Sequence, residues 1–86
     1  MQSGWTAPAI LDALGDPVRR VIYERLRRNP SHATLMAKHL PVTRSAVARH
    51  LGILKNAGLV ESWREGQHQL YRARADGLTP LQKWIE

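Results

Sequence analysis

Residues 34–59 hold two short helical patterns on either side of a sharp stop, and no Asp or Glu interrupts them. The segment reads Thr34-Leu-Met-Ala-Lys-His-Leu40, then Pro41-Val42-Thr43, then Arg44-Ser-Ala-Val-Ala-Arg-His-Leu-Gly-Ile-Leu-Lys55, and it closes at Gly58. Pro41 cannot continue a helix, because it lacks an N–H and its ring crowds the preceding turn. Thr43 suits the cap of the next helix. There Val47, Leu51 and Leu54 recur at i, i+4 and i+7, which predicts a buried stripe and leaves Arg44, Ser45, Ala48 and Arg49 outward. Two helices about a tight turn, the second presenting Arg, Ser and His, is a geometry that fits the major groove of DNA.

The rest of the chain must support that unit. With 86 residues it is read as a single domain, 1–86. A fold this small buries only about 60–65% of its unfolded surface, so its own core is marginal. With no cysteine, neither a disulfide nor a thiolate–metal site is open to it. Oligomerisation is the remaining common support. No basic region followed by an apolar run marks a signal peptide, and no stretch approaches the roughly 20 apolar residues of a membrane span. The expectation is a soluble, cytoplasmic protein.

Charge is distributed unevenly. The formal net charge is +6, yet no acid lies between Arg25 and Val60. That interval holds Arg25, Arg27, Arg28, Lys38, Arg44, Arg49 and Lys55. A basic zone coinciding with the two-helix unit is the electrostatic footprint of a nucleic-acid binder. Basicity alone would argue only for solubility and non-specific binding.

Helical spacing predicts a first helix over about 5–14, with Ile10, Leu11 and Leu14 as its apolar stripe and Gly15 as its stop. Asp16-Pro17 opens a second, with Val18, Val21, Ile22 and Leu26 inward and Asn29-Pro30 ending it. Ser31 or Thr34 would cap the short third helix, which turns Ala33, Met36, Ala37 and Leu40 inward. Thr43 caps the fourth. Gly52, inside it, costs about 1 kcal/mol relative to Ala, and the sequence offers no reason for it. From Val60 to Ala73 the period changes to two, with Gly66-Gln67 between two extended runs: a hairpin. Asp76-Gly77 makes a turn, and Leu78, Leu81, Trp84 and Ile85 mark a last helix over about 78–86, with Pro80 in its first turn. The fold class is therefore mainly α with a small β-hairpin. About five helices and a two-stranded wing make a winged helix-turn-helix.

At this point the chain resembles the ArsR/SmtB family of bacterial winged-helix repressors, from Leu11 to Trp84. Three pieces carry the resemblance: Ala13-Leu-Gly-Asp-Pro-Val-Arg-Arg-Val-Ile22; Thr43-Arg-Ser-Ala-Val-Ala-Arg-His-Leu51 with Leu54 and Ala57-Gly-Leu-Val60; and the wing Arg64-Glu-Gly-Gln-His-Gln-Leu-Tyr-Arg72. The resemblance implies a homodimer that binds an operator near a promoter and represses. Two features depart from it. The family's turn commonly has Gly where this chain has Pro41. Many relatives sense metal through Cys pairs on the third helix, or through His and carboxylates on the last; here the third helix has no Cys and Leu78–Glu86 has no His. Metal sensing does not carry over, and members without a metal site are the nearer comparison.

Thr43, Arg44, Ser45 and Arg49 are the candidate DNA-reading residues. Arg bonds guanine bidentately, Ser and Thr reach bases or phosphates, and free N–H groups at a helix start favour phosphate. The competing reading is a cap and solvated arginines. His50 either touches phosphate or packs inward, and it is placed in the DNA-facing set. In the wing, Arg64, Gln67, His68 and Gln69 are candidates for the minor groove or backbone, against a hairpin that merely keeps its edge soluble.

The histidines, His32, His39, His50 and His68, lack the i, i+4 spacing of a helical metal site, so neither a metal nor any cofactor is expected. Trp5, Ile10, Leu11, Leu14, Leu78, Leu81, Trp84 and Ile85 are assigned to a dimer interface, since aromatic residues are enriched there. Intramolecular core is the competing reading.

The expected partners are double-stranded DNA and a second copy of the chain, with no membrane partner and no nameable small-molecule effector. The main reading is a sequence-specific transcriptional regulator, a homodimeric repressor on a pseudo-palindromic operator. The alternative is a winged-helix protein–protein interaction module. An enzyme is not expected: the acids are scattered, and no nucleophile–base pair or phosphate loop is present.

Overall fold

The computed structural model describes residues 5–86, so the first four residues of the expected 1–86 domain lie outside the described part. Five helices and one hairpin follow in the expected order: α1 (Ala7–Leu14), α2 (Pro17–Arg28), α3 (Ala33–Ala37), α4 (Arg44–Asn56), β1 (Val60–Glu65), β2 (His68–Ala73) and α5 (Thr79–Ile85). This is the winged helix-turn-helix arrangement that the periodicity predicted.

Local chemistry sets most boundaries. The Thr6 side chain caps α1, so that helix starts two residues later than the apolar pattern suggested. Asp16 Oδ1 accepts from the backbone N–H of Val18 at 2.8 Å and of Arg19 at 3.1 Å, and Pro17 follows it. Both features satisfy or remove orphan donors at the start of α2. Neither Ser31 nor Thr34 caps α3. His32 does, its Nδ1 accepting from the N–H of Leu35 at 3.3 Å. Ser31 is committed elsewhere, exchanging two backbone hydrogen bonds with Tyr71 at 3.0 and 2.8 Å. α3 ends at Ala37, four residues short of Pro41, so the turn needs no left-handed residue where the family places Gly. Gly58 ends the α4 segment with φ +75°, and a Cβ there would sit 2.7 Å from Trp5 Cγ. Both the backbone angle and the close approach require glycine. Gly52 is different: a Cβ would meet nothing within 4 Å, so packing does not demand it.

The core forms where α2, α3 and α4 converge and the hairpin begins. Ile22, Val47, Leu51, Leu54 and Leu59 are fully buried, joined by Leu26, Met36 and Val60. Ile10 joins them from α1 with no exposed surface. Its assignment to a dimer interface is therefore corrected: it points into the protomer's own core. β1 and β2 pair antiparallel from Val60↔Ala73 to Glu65↔His68, and the hairpin turns at Gly66, φ +61°. The Ser31–Tyr71 bridge ties the approach to α3 onto β2.

Candidate nucleic-acid interface

Helix α4 has two faces. Val47, His50, Leu51 and Leu54 are buried on one. Arg44, Ser45, Ala48 and Arg49 are exposed on the other. At 3.6 residues per turn these four fall within an arc of about 140°. They occupy the first half of the helix, the half that meets base edges in helix-turn-helix complexes. Thr43 Oγ1 accepts from the N–H of Ala46 at 3.1 Å, so its side chain has a capping role. It also lies exposed at the helix start, where the remaining N–H groups favour an anion. No carboxylate stands on α4 or on the turn before it.

His50 does not share that face. It is only 5% exposed, and its Nδ1 lies 3.3 Å from Nη1 of Arg19. Arg19 also donates from Nε to the carbonyl of Ala13 at 2.7 Å and lies 3.9 Å from Asp16 Oδ2. A guanidinium is always charged and only donates, so the Nδ1 facing it must be the unprotonated nitrogen. Burial holds His50 below the usual imidazole range; Asp16 opposes that, while Arg49 and Arg19 reinforce it. His50 therefore leaves the DNA-facing set. It locks the angle of α4 against the α1–α2 corner. Local spacing shows no sign of this partner, because Arg19 lies 31 residues away.

On the wing, Arg64, Gln67 and His68 are exposed at the tip. Gln69 is half-buried and spends its amide on the Ser62 hydroxyl at 3.0 Å, so part of its capacity holds the hairpin together. The wing's two carboxylates have partners of their own. Glu61 takes Arg72 at 2.6 Å, and Glu65 accepts from the Trp63 indole at 3.2 Å. His68 stacks on His32, centroids 3.9 Å apart and planes 15° from parallel. Desolvation lowers the pKa of His32, and the neighbouring His68 and Lys38 lower it further. The residue that caps α3 thus also braces the wing tip, a contact invisible to sequence spacing. Among the described residues no three His, Cys, Asp or Glu side chains gather as a metal site would need.

The residues assigned to an interface divide. Leu11, Trp84 and Ile85 are exposed, and Leu14, Leu78 and Leu81 are half-buried. Trp5 lies against Gly58 with the Arg74 guanidinium 4.3 Å from its ring centroid, so its own protomer already holds much of it. Among the described residues no helix is long and apolar enough to cross a membrane.

Comparison with known proteins agrees with this geometry. A family described as a helix-turn-helix domain matches residues 14–62. The chain is 42% identical over 69 residues to the HTH-type transcriptional regulator Rv2034 of Mycobacterium tuberculosis, covering 80% of this chain and 64% of that protein, just under two thirds of its length. It is 38% identical over 86 residues to the uncharacterised HTH-type regulator YuzN of Bacillus subtilis, covering 91% of this chain and 94% of that protein. Among solved structures, an ArsR-like transcriptional regulator from Rhodococcus sp. RHA1 superposes with a TM-score of 0.82 at 35% identity, covering 92% of this chain and 74% of that one. The homodimeric winged helix-turn-helix domain Mb0332 of Mycobacterium bovis, described as a possible ArsR-family regulator, superposes with a TM-score of 0.76 at 26% identity over 91% of this chain and 72% of that one. Fold, recognition-helix geometry and relatives converge: this chain belongs to the ArsR family of winged helix-turn-helix transcriptional regulators.

Proposed function

We propose that this regulator is a homodimeric, non-enzymatic, cytoplasmic repressor that reads a pseudo-palindromic operator and holds no metal. Residues 1–86 act as one DNA-binding domain, with α1 and α5 pairing the subunits. The observation that carries the reading is the exposed, carboxylate-free face of α4, with Arg44, Ser45 and Arg49 on one arc and Val47, Leu51 and Leu54 sealed behind it. Arg44 and Arg49 supply base contacts, Ser45 and Thr43 phosphate or base contacts, and Arg64, Gln67 and His68 track the flanking backbone or minor groove. Phosphate neutralisation by this basic surface supplies much of the affinity and makes it fall steeply with salt. The named relatives, regulators and a homodimeric domain, support the same reading.

Selection of bound sequences from a random DNA pool tests it. The expected result is an enriched pseudo-palindrome whose half-sites lie about one helical turn, roughly 10 base pairs, apart. A pool without enrichment would refute sequence-specific binding, and an asymmetric single half-site would refute the symmetric dimer.

A further inference from the structure

A lone two-stranded hairpin is marginally stable, so what holds the wing decides how its tip stands relative to α4. Contacts at three successive heights hold it. At the base, Val60 is only 2% exposed and belongs to the core. Midway, Tyr71 exchanges two backbone hydrogen bonds with Ser31, and that pairing is a single isolated bridge. His68 lies three residues nearer the tip, about 10 Å farther along the strand. There the His32 ring meets it, centroids 3.9 Å apart and planes 15° from parallel.

The two uses of His32 do not compete. Its Nδ1 lone pair lies in the ring plane and accepts from the Leu35 N–H, which fixes the ring on the start of α3. The π face stands perpendicular to that plane and is left for His68. His32 is half-buried whereas His68 is exposed, so the wing tip leans on a ring that is already held. α3 passes the constraint on, because its Met36 packs in the same core as Val47 and Leu51 of α4. Contact is therefore continuous from the wing tip, through His32, to the helix that carries Arg44 and Arg49.

We infer that His32 is a positioning residue for DNA recognition: its stack on His68 presets the separation between wing tip and α4, so that both meet the operator together. This rests on the DNA-binding reading above. His32 is outside the set assigned to DNA and acts through His68. A wing released from the stack still reaches the duplex, but only in the fraction of chains where it already stands correctly, and apparent affinity falls by that fraction. The usual contribution of an aromatic pair sets the loss at about 2- to 10-fold.

His32→Asn tests this, because Asn is a favoured cap and cannot stack. It is made alone and together with His68→Ala, and each chain is titrated on the selected operator at fixed salt and footprinted with hydroxyl radicals. The expected result is weaker protection in the flanks that the wing reaches, unchanged protection and base preference within the half-sites, and the 2- to 10-fold loss of affinity, about what the stack supplies. Added to His68→Ala, His32→Asn should cost nothing further. Should His32→Asn not fold, as judged by circular dichroism, His32→Ser repeats the cycle with another favoured cap. Wild-type flank protection in His32→Asn, a loss spread evenly over flanks and half-sites, or an undiminished further loss in the His68→Ala background overturns the positioning role and leaves DNA binding standing. A wild-type footprint bare in the flanks overturns the wing contacts and this role with them. A wild-type chain that enriches no operator overturns sequence-specific binding itself.

Discussion

At the residue scale, what decides a side chain's role is the face it leaves the helix on. Arg44 leaves α4 toward solvent, beside Ser45 and Arg49. Arg44→Ala should cost about 1–3 kcal/mol of operator binding and relax the preference at one base position. Fluorescence anisotropy on operator and random DNA at one salt concentration separates the roles. Loss on the operator alone marks base reading, whereas equal loss on both marks a phosphate contact. Much of this face was legible beforehand. Val47, Leu51 and Leu54 had to point inward, and the arginines then had to point out. Spacing also put His50 inward, three residues after Val47 and four before Leu54; what it could not show was a partner for a buried ring. That partner is Arg19, which reaches across from α2 with its Nη1 3.3 Å from the imidazole. Ile10 is misplaced for a different reason: a helical stripe reads as apolar whether it meets its own core or another subunit.

At the element scale, caps and stops were readable and braces were not. Asp16-Pro17, Thr43 and Gly58 each act within a few residues, so their chemistry shows in the sequence. The Ser31–Tyr71 bridge and the His32–His68 stack join residues 40 and 36 positions apart, and no local pattern announces them. The Ser31 bridge also explains the wrong cap expected for α3, since it draws that residue into the sheet and leaves the cap to His32. Gly58 is the sharpest test at this scale. It joins α4 to the wing with φ +75°, and Trp5 packs where a Cβ would go. A left-handed conformation costs a non-glycine residue about 1–2 kcal/mol, and overpacking typically adds about 1–3 kcal/mol. Gly58→Ala should therefore destabilise the fold by about 2–5 kcal/mol, read as a lower urea midpoint at an unchanged m-value. In a Trp5→Ala background, which carries its own loss of packing, Gly58→Ala meets the strain but not the clash, so its further cost should be smaller but not zero. A further cost of zero would show that the close approach alone requires glycine.

At the scale of the whole molecule, three titrating groups hold separate parts together, and the fold displaces all three in the same direction. Asp16 caps α2, His32 caps α3 and stacks on the wing, and His50 meets the α1–α2 corner. Hydrogen bonding from the Arg19 backbone keeps the Asp16 carboxyl below its ordinary 3.8, and desolvation keeps both imidazoles below their ordinary 6.5. For each group the unfolded chain takes up its proton at a higher pH than the folded chain. Wherever the unfolded state binds more protons, stability rises with pH. The histidine contribution is thus fully present above 6.5 and is lost as pH falls from there toward the lowered folded values; the Asp16 contribution follows below 3.8. Protonation also removes the lone pair that each Nδ1 offers, to Leu35 N–H in α3 and to Arg19 from α4, so the cap and the helix–helix contact weaken together. Melting temperature measured from about pH 7.5 to 5 at constant ionic strength should fall with acid. A chain carrying His32→Asn and His50→Gln keeps an acceptor at both sites, with Asn a favoured cap, yet cannot titrate there. Its profile should be flatter over the same interval. An equally steep profile would place the acid sensitivity outside these two rings, and would separate the bracing of α3 and α4 from the titration of the rings that provide it.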